Sequence, residues 1–363
     1  MKYISEFRNP AQARALAEDI KRLAGGREFN LMEVCGTHTV SIFRSGLRSL
    51  LPPSLRLISG PGCPVCVTPQ QTIDTIIARA RVPDTIIATF GDMLNVPGTT
   101  STLRKERSRG ADIRMVYSPL ESLALARSNP EKRVVFLAIG FETTIPTAAA
   151  TALEAGRTGL ENFFLVPAGR LIPPAMEFLL SDDEVRIDGF LCPGHVSVII
   201  GMEPYRKIAE EFKVPCVVAG FEPLDILGAI RELLLLIREG RGEARNLYPR
   251  AVREEGNTRA RMILEEVFRV TDAQWRGLGM IPRSGLSLRP AFRKFDIDRI
   301  HPIEIPPVKE DPRCICGRIL RGTDEPEACP AFRTACTPSH PLGPCMVSSE
   351  GTCGAWYRYG RSK

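Results

Sequence analysis

Short apolar runs recur between residues 28 and 245, each followed by a Gly/Pro-containing loop and then a stretch with helical spacing. Eight of them predict strands, at 30–34, 55–59, 84–90, 112–118, 133–139, 162–168, 188–192 and 216–221. Runs as uniformly apolar as DTIIATF and RVVFLAI, alternating with helices, predict strands buried on both faces of parallel sheets, and hence an α/β fold. The N-terminal stretch ahead of the first run carries charges throughout and predicts a short amphipathic helix rather than a signal peptide.

The eight strands also read as two sets of four. Cys35-Gly36-Thr37-His38-Thr39 aligns with Gly140-Phe141-Glu142-Thr143-Thr144, the loop at Gly91-Asp92 with Gly194-His195, and Pro119-Leu120-Glu121-Ser122-Leu123 with Pro223-Leu224-Asp225-Ile226-Leu227. The offset stays near roughly 105 residues, which predicts two similar α/β domains, with chance registration of two βα arrays as the alternative. On this reading residues 1–125 form one α/β domain, 126–245 a second, and 246–363 a C-terminal helical and irregular domain. In that last part the residues up to about 270 predict one or two helices, 277–312 are Pro-rich and irregular, and the final fifty are dense in Cys, Pro and Gly. Such a tail buries too little apolar surface to hold itself and calls for a metal.

Composition narrows the classes. A chain of 363 residues suits two or three domains. The net charge of +6 is small and spread out, and no aromatic-basic strip accompanies it, so nucleic-acid binding is not expected. No segment is apolar over a membrane's width, and a cytoplasmic location is expected. In a reducing compartment, 11 cysteines point to metal binding or redox chemistry more than to structural disulfides.

Four sites carry the chemistry. Cys35 and His38, three apart after the first strand, fall on one side of a helical turn at the carboxyl end of a parallel sheet. An imidazolium or a helix N-terminus beside Cys35 would lower its thiol pKa; the competing reading is a buried cysteine next to a hydrogen-bonded histidine. Cys63-Pro64-Val65-Cys66 follows the second strand. Thr68, Pro69 and Gln71 form an N-cap, first helical position and capping box, which places Cys66 just ahead of a helix N-terminus. This pair is a redox dithiol or, failing that, half of a metal site, though no second C-x-x-C completes a zinc knuckle. If the first two strands are neighbours, Cys35, Cys63 and Cys66 share one crevice. The third site is Cys192-Pro193-Gly194-His195, whose His195 the repeat alignment sets opposite Asp92 across a cleft between domains. Glu142 and Glu222 are lesser candidates, and Cys216 reads as core. The fourth is the array Cys329-x6-Cys336-x8-Cys345-x7-Cys353, whose wide, even spacing fits four thiolates around a [4Fe-4S] cluster better than zinc; Cys314 or Cys316 can replace one of the four. No Walker A loop, G-x-G-x-x-G turn, G-x-S-x-G or H-E-x-x-H occurs in a fitting context.

Taken together, MEVCGTHT, GPGCPVCVTP, FGDMLNVPG, GFETT, CPGHVS and CPAFRTACTPSHPLGPCMVSSEGTC resemble the HypD family of iron–sulfur hydrogenase maturation factors, nearly end to end and with no departure at the motif cysteines. The resemblance implies a scaffold that works with a HypC-type chaperone and receives cyanide through a HypE-type partner. The pair holds a transient Fe(II) while two CN and one CO are attached, for transfer to a [NiFe]-hydrogenase. It further implies Cys35 as an iron ligand with His38 beside it, Cys63/Cys66 as a thiol redox couple, and Cys329, Cys336, Cys345 and Cys353 as cluster ligands. A relay from the cluster through Cys63/Cys66 to iron at Cys35 then requires the tail to fold back onto the first strands. The main alternative is a stand-alone iron–sulfur-linked disulfide oxidoreductase, which leaves Cys35 and His38 idle. A zinc-bearing nucleic-acid-binding protein is a third.

Overall fold

The computed structural model describes residues 5–308 and 310–360. All eight expected strands are present: β1 (Phe29–Glu33), β2 (Leu55–Ser59), β3 (Thr85–Thr89), β4 (Asp112–Met115), β5 (Arg133–Gly140), β6 (Phe163–Gly169), β7 (Gly189–Pro193) and β8 (Cys216–Ala219). They build two sheets that are parallel throughout, one ordered β2-β1-β7-β8-β9, with β9 a short edge strand at Ala244–Asn246, and one ordered β4-β3-β5-β6. β3, β5, β7 and β8 are buried nearly end to end, because helices cover both sheet faces.

The grouping of strands departs from the sequential division at residue 125. That boundary falls inside the second sheet, whose β4 and β5 both pair with β3, while the first sheet takes β1 and β2 from one end of the α/β region and β7, β8 and β9 from the other. The chain leaves the first sheet after β2, builds the whole second sheet, and returns at β7. The expected repeat is nonetheless compatible with this exchange. Advancing each strand four places converts β2-β1-β7-β8 into β6-β5-β3-β4, which is the second sheet read from its other edge. Two similar parallel-sheet units result, each interleaving both halves of the chain.

Helix α1 (Pro10–Ala24) is capped by Asn9, whose side chain accepts from the N–H groups of Ala11 and Gln12, and ends at left-handed Gly25. Its apolar face, with Ile20 and Ala24, packs on the long helix Pro223–Arg238 over the first sheet. After β9 the expected helical stretch contains one helix, Thr258–Val267. The stretch expected to be irregular from residue 277 instead contributes to an antiparallel hairpin of β10 (Phe268–Trp275) and β11 (Gly279–Leu288). A register shift between Thr271 and Ala273 breaks the period-two alternation, which is why the apolar pattern did not announce these strands. Trp275, fully buried, stacks on Phe141 and donates to Ser284 Oγ at 2.7 Å, fixing the hairpin end next to the second sheet. The cysteine-rich tail folds back onto the α/β units. Cys316, Leu320 and Cys345 join the main core, and Ala331, Phe332, Met346 and Trp356 form a small satellite core against Phe43.

Candidate functional site: a thiol cleft closed by the cysteine-rich tail

The parallel register of β1 on β2, Glu33 opposite Ser59, brings their following loops side by side. The loops are stitched together by Gly60 N–H to Glu33 O (2.8 Å) and Gly36 N–H to Gly62 O (3.1 Å). A Cβ at Gly62 would overlap the backbone of Cys35, so only glycine permits this approach. Cys35, Cys63 and Cys66 therefore share one buried crevice, as the neighbouring-strand argument anticipated. Cys63 and Cys66 are joined as a disulfide with Cα atoms 5.3 Å apart. The helix after this loop, α3 (Gln70–Ala80), starts one residue later than the sequence suggested. Thr68 does not cap it, because its hydroxyl donates back to Pro64 O at 2.9 Å; Pro69 occupies the cap position and no side chain caps the helix.

Cys35 is the N-cap residue of α2 (Gly36–Arg44). Burial, and next the negative charge of Glu350, push its thiol up to about 12, against the lowering effect of the Thr37 and His38 N–H groups. The thiol is thus held protonated at neutral pH. Of the two readings of His38, the buried and hydrogen-bonded one fits. His38 is fully buried, its Nε2 bonds to Gly220 O at 2.9 Å, and burial lowers its pKa to about 4. It is a neutral ring packed on Phe221, with centroids 4.7 Å apart, rather than a charged partner for Cys35.

Glu33 lies beneath the crevice. Its carboxyl accepts from Thr39 Oγ1 (2.5 Å) and Cys35 N–H (3.4 Å), and burial raises its pKa to about 8. The native state therefore keeps a proton that the unfolded chain releases near pH 4.5, so this group's contribution to stability is lost as pH rises from about 4.5 to 8. Glu33→Gln, which keeps the shape of the neutral acid, should remove that loss. Denaturant unfolding of the two proteins should diverge in the variant's favour across this window, by up to roughly 4 kcal/mol; a gap that does not change with pH would contradict the assignment.

Asp92 and His195 each approach the tail segment 348–350. His195 also packs on Phe221, with centroids 4.1 Å apart, just after β7 of the sheet whose β1 precedes Cys35. Asp92, after β3, accepts from Ser349 Oγ (2.9 Å), Ser349 N–H (3.4 Å) and Ser348 Oγ (3.5 Å). What both meet is the tail segment 348–350: Glu350 acts electrostatically on His195, and its carboxylate accepts from Thr37 Oγ1 at 2.6 Å. Gly36 is another close approach, because a Cβ there would collide with the Glu350 backbone. Ser348 Oγ is 3.3 Å from Cys63 Sγ. Glu142 is buried and pushed up to about 7, with Oε1 accepting from Ile172 N–H, away from the crevice residues. Glu222 serves as a helix cap with Asp225 and pairs with Arg8. Cys192 and Cys216 are core.

Three residues upstream of Ser348 the tail carries Cys345, 3.9 Å from Cys316 Sγ and in hydrogen-bonding contact with Cys353. Cys336 Sγ accepts from Leu342 N–H at 3.4 Å, and Cys329 Sγ contacts Arg313 O at 3.4 Å. All four cysteines of the array are free, together with Cys314 and Cys316, and the six act on one another electrostatically. Among the described residues no three His, Cys, Asp or Glu side chains are drawn tightly enough for a single ion. The soft thiol donors of this array would suit a cluster, whose thiolates each bind a different iron. Cys316, considered from the sequence only as a substitute ligand, lies closer to Cys345 than that spacing disclosed.

Arg276 and Glu350 were missed entirely. Arg276 sits at the hairpin turn with its side chain 2% exposed; its N–H donates to Val67 O (2.8 Å) and its Nη1 to Gln70 Oε1 (2.6 Å). Its charge opposes the burial that raises the Cys314 and Cys316 thiols, so one buried cation joins the C-x-x-C loop to the cysteine cluster. Neither residue belongs to a periodic run or a metal-ligand spacing, so no sequence signal marked them.

Fold and site define a two-sheet α/β protein whose thiol crevice is closed by its own cysteine-rich tail. The chain belongs to the HypD family: the family described as "Hydrogenase formation hypA family" matches residues 11–360. It is 48% identical to the "Hydrogenase expression/formation protein HupD" of Azotobacter chroococcum mcd 1, with all of this chain and 98% of the relative aligned. It is 46% identical to the "Hydrogenase maturation factor HypD" of Azotobacter vinelandii over all of this chain and 98% of that protein. With the protein of that name from Escherichia coli K12 the identity is 42%, over 99% and 98% of the two chains. Among the described residues no helix is long and apolar enough to cross a membrane.

Proposed function

We propose that the protein acts in hydrogenase maturation, as the names of its relatives indicate, and that its part is to hold an iron atom at Cys35 while CN and CO ligands are attached. The observation that carries this reading is the return of the tail. Ser348 contacts Cys63, Glu350 binds Thr37 beside Cys35, and Cys345 lies only a few residues upstream. A relay between a cluster and the crevice needs such a fold-back.

Each residue then has a chemical task. Cys35, kept as a thiol by burial, gives up its proton when the cargo iron binds, and a soft thiolate suits low-spin Fe(II). Cys63 and Cys66 interconvert between disulfide and dithiol, with uptake of two electrons and two protons on reduction. Cys329, Cys336, Cys345 and Cys353 would hold a [4Fe-4S] cluster, with Cys316 adjacent; when bound, the cluster supplies electrons one at a time. Neutral His38 shapes the crevice wall through Gly220 and Phe221. A HypC-type chaperone has an exposed apolar surface to meet. Met115, Tyr117 and Leu120 are 45%, 83% and 47% exposed, and Met115 lies against Gly91, next to Asp92.

The test is anaerobic co-purification with a HypC-type chaperone and quantification of iron. Wild type should carry one iron beyond its cluster iron, and Cys35→Ala should lose that one alone. Retention of the extra iron by the variant would overturn the assignment.

A further inference from the structure

Where α3 begins, a cavity of about 280 Å³ opens between it, the outer edge of β6 and the residues before Arg276. It is lined by Gln71, Thr72 and Thr75 of α3, by Arg170 and Gln274, and by Asp298. Arg170 is the unusual member. It is only 9% exposed, yet no carboxylate pairs with it. Its Nη1 and Nη2 donate to the carbonyls of Gly169 (3.1 Å) and Gln274 (2.9 Å), and its Nε has no acceptor. A guanidinium has five N–H donors, and burying one without an anion is costly. The single carboxylate in the lining, Asp298, is already held by Arg79 at 2.7 Å.

The second wall adds to the same field. α3 spans Gln70–Ala80, long enough to present a positive N-terminal end, and no side chain caps it. Pro69, Gln71 and Thr72 of that end face the cavity that Arg170 enters. A buried unpaired cation and an uncapped helix start thus converge on one space, with Thr72 and Gln71 as neutral hydrogen-bonding groups. The burial that lowers the Arg170 pKa to about 10 meets no offsetting charge from the protein.

We propose that this cavity is a binding site for a small oxyanion, a phosphate or a carboxylate, clamped between Arg170 and the N-terminus of α3. No cysteine lines it, and its occupancy does not depend on the maturation role.

The test uses the full holo chain, kept anaerobic, in thermal unfolding at fixed ionic strength, with chloride replaced stepwise by inorganic phosphate or by acetate. One saturating rise in Tm is expected, reaching a few degrees at about 100-fold excess over Kd. A response to phosphate alone or to acetate alone supports the site and identifies which oxyanion it takes. Arg170→Met should abolish the response while the iron content stays at the wild-type level. Thr72→Glu places a carboxylate inside the cavity, and should unfold at a higher temperature than wild type without added anion and no longer respond. No difference between chloride and both oxyanions in wild type would overturn the proposal, as would an undiminished response in either variant. Should Arg170→Met fail to fold, Thr72→Glu decides alone.

Discussion

Replacing Cys63 with alanine is expected to reduce hydrogenase maturation to background while the protein keeps its brown cluster and its fold. Cys63 is 4% exposed and its sulfur is bonded to Cys66 and meets the Cys66 N–H and Ser348 Oγ, so the change removes one sulfur from a well-packed wall. The cost in stability is that of a small cavity and a lost cross-link over a very short loop, on the order of 1–3 kcal/mol and too little to unfold the chain. On the proposed function, what is lost is the two-electron couple. In vivo hydrogenase activity, with iron and sulfide of the purified variant as control, measures both halves of the expectation. Normal maturation in Cys63→Ala would show that the dithiol is not required and would leave the tail's contact at Ser348 without a redox purpose.

The second large effect is at Cys345. Cys345→Ser should lose the brown absorption, with about four irons and four sulfides per chain, and should loosen the tail from the crevice. Cys345 is the junction of the cysteine set, touching Cys316 and Cys353, and its carbonyl packs tightly against Gly351 just beyond Glu350. Without a cluster, the region from 329 to 360 would rest on its small satellite core around Phe332 and Trp356 and on the few contacts of residues 345–350 with the α/β units. Limited proteolysis should therefore cut this region first, with the two sheets intact. Full iron and sulfide content in Cys345→Ser would move the cluster to another set of cysteines.

Much of this arrangement was legible before the structure. The apolar runs located all eight strands, because strands buried on both faces carry a continuous apolar signal. The convergence of Cys35 with Cys63 and Cys66 followed from adjacent parallel strands ending in functional loops. Sheet membership was not legible. Nothing in the spacing around residues 60–84 says whether β3 returns to the first sheet or starts another, since that is decided by which helix faces pack together. The β10–β11 hairpin was hidden by its register shift. At the site, the sequence left open whether His38 is an imidazolium or a buried, hydrogen-bonded ring, and burial against Phe221 and Gly220 decides for the second. The alignment that set Asp92 and His195 across a cleft gave no sign of the tail segment there, whose Ser349 bonds one and whose Glu350 acts on the other. Arg276 and Glu350 reach the crevice from irregular segments, and only the folded chain shows where such segments go.

The most direct test of the central claim is infrared spectroscopy of the protein co-purified, without oxygen, with a HypC-type chaperone from cells making the whole maturation machinery. Cyanide and carbonyl stretching bands are predicted on the wild-type complex and their absence on the Cys35→Ala complex purified in equal yield. The same bands on Cys35→Ala would show that the ligated iron is held elsewhere, and would contradict the account at its centre.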